Sequence, residues 1–285
     1  MTVGIAAICD DGNAIVMAAD RRLTYENSAA LYHDGEHPKI IRVSPQAAIA
    51  VTGGITESDL AMEKLSSAIS LPDLTTVSQI ADGLHRCCQH IRREHLSRSL
   101  TTRWVDLSFD DFTKQAMDKQ SNSIISEVFA AIKGFNLNLA VLLAGIDNAG
   151  AHVYCSTDAI ITTHRNPGFT AIGSGSMQAL NAIARSGHVS TRSIGESLYW
   201  VYAAKRAAEF ATGVGPQTDM LVIRSNEASW FVPQSAIETL HDVYDRLNQP
   251  ALSKEDAAKV QELIPPLSAS NSDLRRSRQQ GKRRR

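Results

Sequence analysis

A chain of 285 residues with 43% apolar side chains is long enough for one large globular domain, and a second is not excluded by length. A formal net charge of −1 argues against general affinity for nucleic acid or membrane, and no apolar run approaches a membrane-spanning length. The start lacks the basic n-region of a secretory leader, which makes the cytoplasm the expected compartment, and Cys9, Cys87, Cys88 and Cys155 lack metal-ligand spacing.

The β-branched runs Val3 to Cys9 and Ala14 to Ala19 flank Asp10-Asp11-Gly12-Asn13, residues that tolerate positive φ, so the pattern predicts a β-hairpin. Pairing about Asp11 puts Thr2 opposite Asp20. If Met1 is removed, Thr2 carries a hydroxyl and a free α-amine, so a nucleophile and a general base sit on one residue. The amine's reference pKa of about 7.7 to 8.0 leaves it partly neutral near physiological pH.

Thr24 to Pro38 is polar and contains Asp34-Gly35, which reads as a loop or a short irregular strand. Lys39 to Val43 and Ala47 to Thr52 form a second predicted hairpin, ended by Gly53-Gly54. An amphipathic helix is predicted over Glu57 to Ser70, and another from Thr75 or Thr76 through Ile91, with a basic end at Arg92, Arg93 and Arg98. Residues 97–135 mix aromatic and acidic side chains and read as an inserted lid or subunit contact, closed by a helix from Ser123 to Lys133, the plainer alternative being a longer pair of helix ends.

Leu137 to Ile146 and His152 to Ser156 predict a further hairpin, followed by a strand at Phe169 to Ile172. Helices are predicted over Met177 to Arg185 and Ser190 to Ala211, then a strand over Met220 to Ile223. Strands, two helices, strands, two helices and a strand predict an α+β fold in which helical layers enclose two antiparallel sheets, a four-layer αββα sandwich. The character shifts after Asn226, so the domain is placed at 1–226, with a helical extension over 227–267 and a disordered basic tail over 268–285. That tail reads as a solvated end.

Three strings carry a family likeness: Ala18-Ala19-Asp20-Arg21-Arg22-Leu23-Thr24, His37-Pro38-Lys39-Ile40-Ile41 and Ala50-Val51-Thr52-Gly53-Gly54. Together they resemble the start of a proteasome β-type subunit, including the bacterial HslV and Anbu kinds, which are N-terminal nucleophile hydrolases. The fourteen-residue step from Lys39 to Gly53 matches that family.

The resemblance implies that Thr2 is the nucleophile and that Asp20 orients Lys39, whose charge sits beside the hydroxyl. A cation there favours deprotonation of the hydroxyl and lowers the amine's pKa. Gly53 would offer a backbone N–H to the oxyanion. Thr24 and Gly53 would flank a groove where substrate adds as a strand, and Val51 would floor the pocket for the side chain before the cut.

Ser174 matches the serine of the family's Gly-Ser-Gly stretch, the plainer reading being an N-cap. Glu209 and Thr212 stand where the family has an aspartate and a serine. Thr2 directly adjoins Val3-Gly4, whereas the family usually has two residues between its nucleophile and that pair.

The implied function is a threonine-type endopeptidase that assembles into a homo-oligomeric ring, acts on peptide or protein substrates without metal or cofactor, and has a possible ATP-dependent unfoldase as partner. Two alternatives stand beside it: a non-catalytic, structural relative of the same fold, and an N-terminal nucleophile amidohydrolase acting on a small amide.

Overall fold

In a computed structural model the structure describes residues 2–24, 32–34, 38–53, 63, 76–104, 114 and 122–247. The helix expected over 57–70, apart from residue 63, much of the 97–135 segment and the tail lie outside the described residues. The chain divides into units of 1–242 and 243–285, and of the second only 243–247 is described.

Strands β1 (Val3–Cys9) and β2 (Ala14–Asp20) form the first hairpin. Its turn uses positive φ at Asp10, Asp11 and Gly12, as the turn residues predict. The register differs from the expected one. Gly4 pairs with Ala19 and Cys9 with Ala14, so the turn centres between Asp11 and Gly12, and Asp20 comes opposite Val3 instead of Thr2. A turn with an even number of residues has no central residue, and that moves every pair by one.

Short strands β3 (Arg22–Thr24) and β4 (Tyr32–Asp34) make a separate antiparallel pair. β5 (Ile40–Ser44) and β6 (Ala47–Thr52) form the second long hairpin. α1 (Val77–Trp104) follows, then α2 (Asn122–Gly134), which covers the helix predicted there. α1 starts at a reciprocal cap: the Gln79 amide donates to the Thr76 hydroxyl at 3.2 Å, and the Thr76 amide to the Gln79 side chain at 3.1 Å.

Next come β7 (Ala140–Asp147), β8 (Gly150–Thr157), β9 (Ile160–Thr163) and β10 (Phe169–Gly173). α3 (Ser176–Arg185) and α4 (Ile194–Ala208) are followed by β11 (Thr218–Arg224), β12 (Glu227–Phe231) and α5 (Gln234–Leu247).

These strands form two five-stranded antiparallel sheets, ordered β10-β1-β2-β11-β12 and β5-β6-β7-β8-β9. The boundary expected at 226 falls inside the β11–β12 hairpin, so the first sheet runs on to Phe231. Alternation along each strand divides the apolar residues between two cores. Ala6, Ile8, Ile15, Met17 and Ala19 of the first sheet share one core with Ile40, Ala48, Ala50, Leu142 and Ala144 of the second. The other joins Ile49, Val51, Val141 and Leu143 to Ile80, Leu84, Cys88 and Ile91 of α1. α3 and α4 pack against β10, β1 and β2.

The four cysteines are free and buried, as small core residues. Burial pushes the Cys9 and Cys88 thiols up to about 11, which leaves them unreactive near neutrality. No helix among the described residues is long and apolar enough to cross a membrane.

Candidate active site

The sheet ends bring Thr2, Asp20 and Lys39 together. Asp20 closes β2 and is 0% exposed, while Thr2 precedes β1 and is 2% exposed. Lys39 precedes β5 in the other sheet, so the cluster spans both sheets. The Thr2 hydroxyl donates to Asp20 Oδ1 and accepts from Lys39 Nζ. Lys39 Nζ also donates to Asp20 Oδ1 at 3.0 Å and to the Arg22 carbonyl at 2.5 Å. These three acceptors match the three hydrogens of an ammonium.

Asp20 is surrounded by donors. Oδ1 accepts from the Val3 amide at 2.9 Å, and Oδ2 from the Arg22 and Gly215 amides at 3.0 and 3.1 Å. Five donors on one carboxylate fix its orientation. Although Asp20 is one step from the expected pairing, the Thr2 hydroxyl still reaches it.

The carbonyl side of Thr2 is held by the 173–175 loop. The Ser174 hydroxyl lies 3.4 Å from both the Thr2 and the Thr212 carbonyl and shares its one hydrogen between them, and the Gly175 amide reaches the Thr2 carbonyl at 3.4 Å. The N-cap of α3 is Gly175 and not Ser174.

A scan against protein-family models gives no match, and no curated protein matches the sequence.

The other predicted positions lie around the cluster. Gly53 is half-buried in the bend after β6, and the Val51 amide bonds to the Lys39 carbonyl at 3.3 Å. Val51 is 6% exposed and packs in the core beneath α1. Thr24 ends β3, its backbone paired with Tyr32. Thr212 contributes its carbonyl. Glu209 is the C-cap of α4, and its carboxylate receives Lys205 at 2.6 Å and Arg206 at 2.8 Å; it does not touch Thr2, Asp20 or Lys39 and is linked to Asp20 only by way of Lys205 and Gly215.

Lys205 was not singled out from the sequence, yet it is 0% exposed. Its Nζ donates to Glu209 and to the Gly215 and Pro216 carbonyls. Burial draws its pKa below the ordinary value, against the opposing pull of Glu209 and Asp20. The available signal was its spacing: Leu198, Val201, Tyr202, Lys205 and Ala208 fall on one helical stripe.

Chemically, a hydroxyl placed between a cation and a carboxylate can lose its proton to a nearby base while the cation stabilises the alkoxide. Among the described residues no group of three or more His, Cys, Asp or Glu side chains is arranged to hold a metal ion.

Proposed function

We propose that the chain is a threonine-type peptidase whose nucleophile is the Thr2 hydroxyl. The observation that carries this reading is the buried contact of that hydroxyl with both Lys39 and Asp20. Two sheets sharing a core, with α1 beneath one and α3 and α4 on the other, fit the four-layer αββα sandwich of the N-terminal nucleophile hydrolases. Assembly into rings, a protein substrate and an unfoldase partner belong to the same reading.

Cleavage of the Met1–Thr2 bond turns the Thr2 nitrogen from a non-basic amide into an amine. That amine takes the hydroxyl proton as Oγ1 attacks the substrate carbonyl, and Lys39 offsets the charge on oxygen. On this reading the Gly53 N–H receives the oxyanion, the role that the resemblance implies. The amine then passes the proton to the leaving nitrogen as the C–N bond breaks. Water hydrolyses the resulting ester and frees Thr2.

Intact mass together with a peptide-hydrolysis assay tests this. The mature protein should lack Met1, and Lys39→Ala should lose at least about 100-fold in rate, the scale of a proton-transfer contribution. Full turnover by Lys39→Ala, or by a chain that quantitatively keeps Met1, overturns it.

One observation favours a second reading, that of a non-catalytic structural subunit: Thr2 is 2% exposed, so its hydroxyl is closed to substrate in the chain that carries Met1. On that reading Met1 stays in the assembled protein, and the same mass measurement separates the two.

A further inference from the structure

A buried lysine is costly unless its charge and all its hydrogens are matched. Lys205, in the last turn of α4, meets both conditions, with Nζ at 2.6 Å from Glu209 Oε1, 2.9 Å from the Gly215 carbonyl and 2.6 Å from the Pro216 carbonyl. Its place at a helix C-terminus is also favourable for a cation. One of these partners belongs to the helix cap, and the other two belong to the loop that leads into β11.

The loop in turn touches both halves of the candidate site. The Gly215 amide donates to Asp20 Oδ2 at 3.1 Å, so one glycine is gripped by Lys205 through its carbonyl and by Asp20 through its nitrogen. Further back along the loop, the Thr212 carbonyl receives the Ser174 hydroxyl that also reaches the Thr2 carbonyl. β11 then continues from the loop with Thr218 paired to Asp20.

We infer that Lys205 is a positioning residue: it clamps residues 209–216 so that the Gly215 N–H holds the Asp20 carboxylate, and with it Lys39, in line with the Thr2 hydroxyl. This rests on the reading of Thr2, Asp20 and Lys39 as the hydrolytic centre. Without the ammonium, the Glu209 carboxylate and the Gly215 and Pro216 carbonyls lose their shared donor. The loop then relaxes, Asp20 loses one of its five donors, and Oδ2, left with the Arg22 amide alone, is held less firmly, which allows the carboxylate to turn.

The test uses the full-length chain with Lys205→Met, which keeps side-chain length and removes the charge, and Lys205→Arg, which restores a buried cation. Amide hydrogen exchange is followed across 209–219, and kcat and KM are measured on the same peptide. Lys205→Met should lose exchange protection in that segment while β1 and β2 keep theirs. Its kcat should fall about 10- to 100-fold at unchanged KM, the scale of a misplaced catalytic group, and Lys205→Arg should recover part of both losses.

If Lys205→Met does not fold, Lys205→Gln, which keeps a donor without the charge, is measured in its place. Unchanged protection over 209–219 overturns the clamp. So does a fall in activity that merely follows the fraction of folded protein. If the Lys39→Ala control hydrolyses as fast as wild type, the hydrolase reading fails, whereas the exchange result still decides the clamp.

Discussion

A Cβ on Gly173 would lie 2.2 Å from the Thr2 carbonyl oxygen and 2.9 Å from its carbon, at a backbone φ of +89°. Both the close approach and the left-handed backbone therefore require glycine. The Thr2 carbonyl sits there because Val3 pairs with Gly173 in the β1–β10 ladder, and because Ser174 and Gly175 both aim donors at it. Thr2 is thus fixed from two sides, its hydroxyl by Asp20 and Lys39 and its carbonyl by the 173–175 loop. Gly173→Ala should destabilise the protein by about 2–4 kcal/mol, the sum of backbone strain and overpacking. Urea unfolding measures the loss. A change below about 0.5 kcal/mol, the range of an ordinary surface substitution, would mean that the loop does not press on Thr2 as described.

Asp147, at the end of β7, ties α1 to the β7–β8 turn. It accepts from the Val77 amide at 2.8 Å, the Ala149 amide at 2.9 Å and His152 Nε2 at 3.0 Å. Burial pushes its carboxyl up, but the hydrogen bonds from Val77, Ala149 and His152 outweigh that and hold it below the ordinary value of 3.8. A carboxyl lowered by folding adds stability that is complete above its unfolded pKa and is lost as pH falls through the folded one. Wild type should therefore lose stability on acidification below about pH 4, the unfolded range of an aspartate, and Asp147→Asn should lose less over that interval. Urea midpoints across the acid range measure the difference, and parallel curves would remove Asp147 from the account.

Elements of this kind differ in how legible they are. The first hairpin can be read because Asp-Asp-Gly-Asn advertises its positive-φ turn, but its register cannot, because composition does not say where a four-residue turn is centred. The β8–β9 turn uses positive φ at Asp158 and Ala159, and alanine gives no turn signal, so β9 went unpredicted. α4 was expected from Ser190 and begins at Ile194, because Ser193 and Glu196 form a reciprocal cap, a spacing visible in the sequence. That Thr2 lies near Asp20 could be read from the hairpin, whereas the approach of Lys39 was expected only from the resemblance. For Lys205 the only signal is its place on the buried stripe of α4, and that spacing does not show the 215–216 carbonyls that hold its ammonium.

At the scale of the whole molecule, the candidate centre takes Thr2 and Asp20 from one sheet and Lys39 from the other, so the spacing of the sheets sets the distance between the Thr2 hydroxyl and the Lys39 ammonium. The sheets approach closely beside the site. A Cβ added to Gly4 would lie 3.2 Å from the Ala50 Cβ and 3.1 Å from Ile172 Cγ1. Gly4 is two residues from Thr2, and Ala50 pairs with Ile40, the neighbour of Lys39. A larger side chain at Ala50 should act as a wedge, separating Lys39 from Thr2 at a stability cost of about 1–3 kcal/mol. Ala151, also buried in the core between the sheets, pairs with Ile146 toward the other end of β7 and offers a matched control. Ala50→Leu and Ala151→Leu should lose similar stability in urea, yet Ala50→Leu should lose about tenfold more hydrolytic rate at equal folded fraction, because reaction geometry is far steeper in distance than packing energy. Equal rate losses would mean that the sheets yield elsewhere and that the cross-sheet contact does not control the reaction.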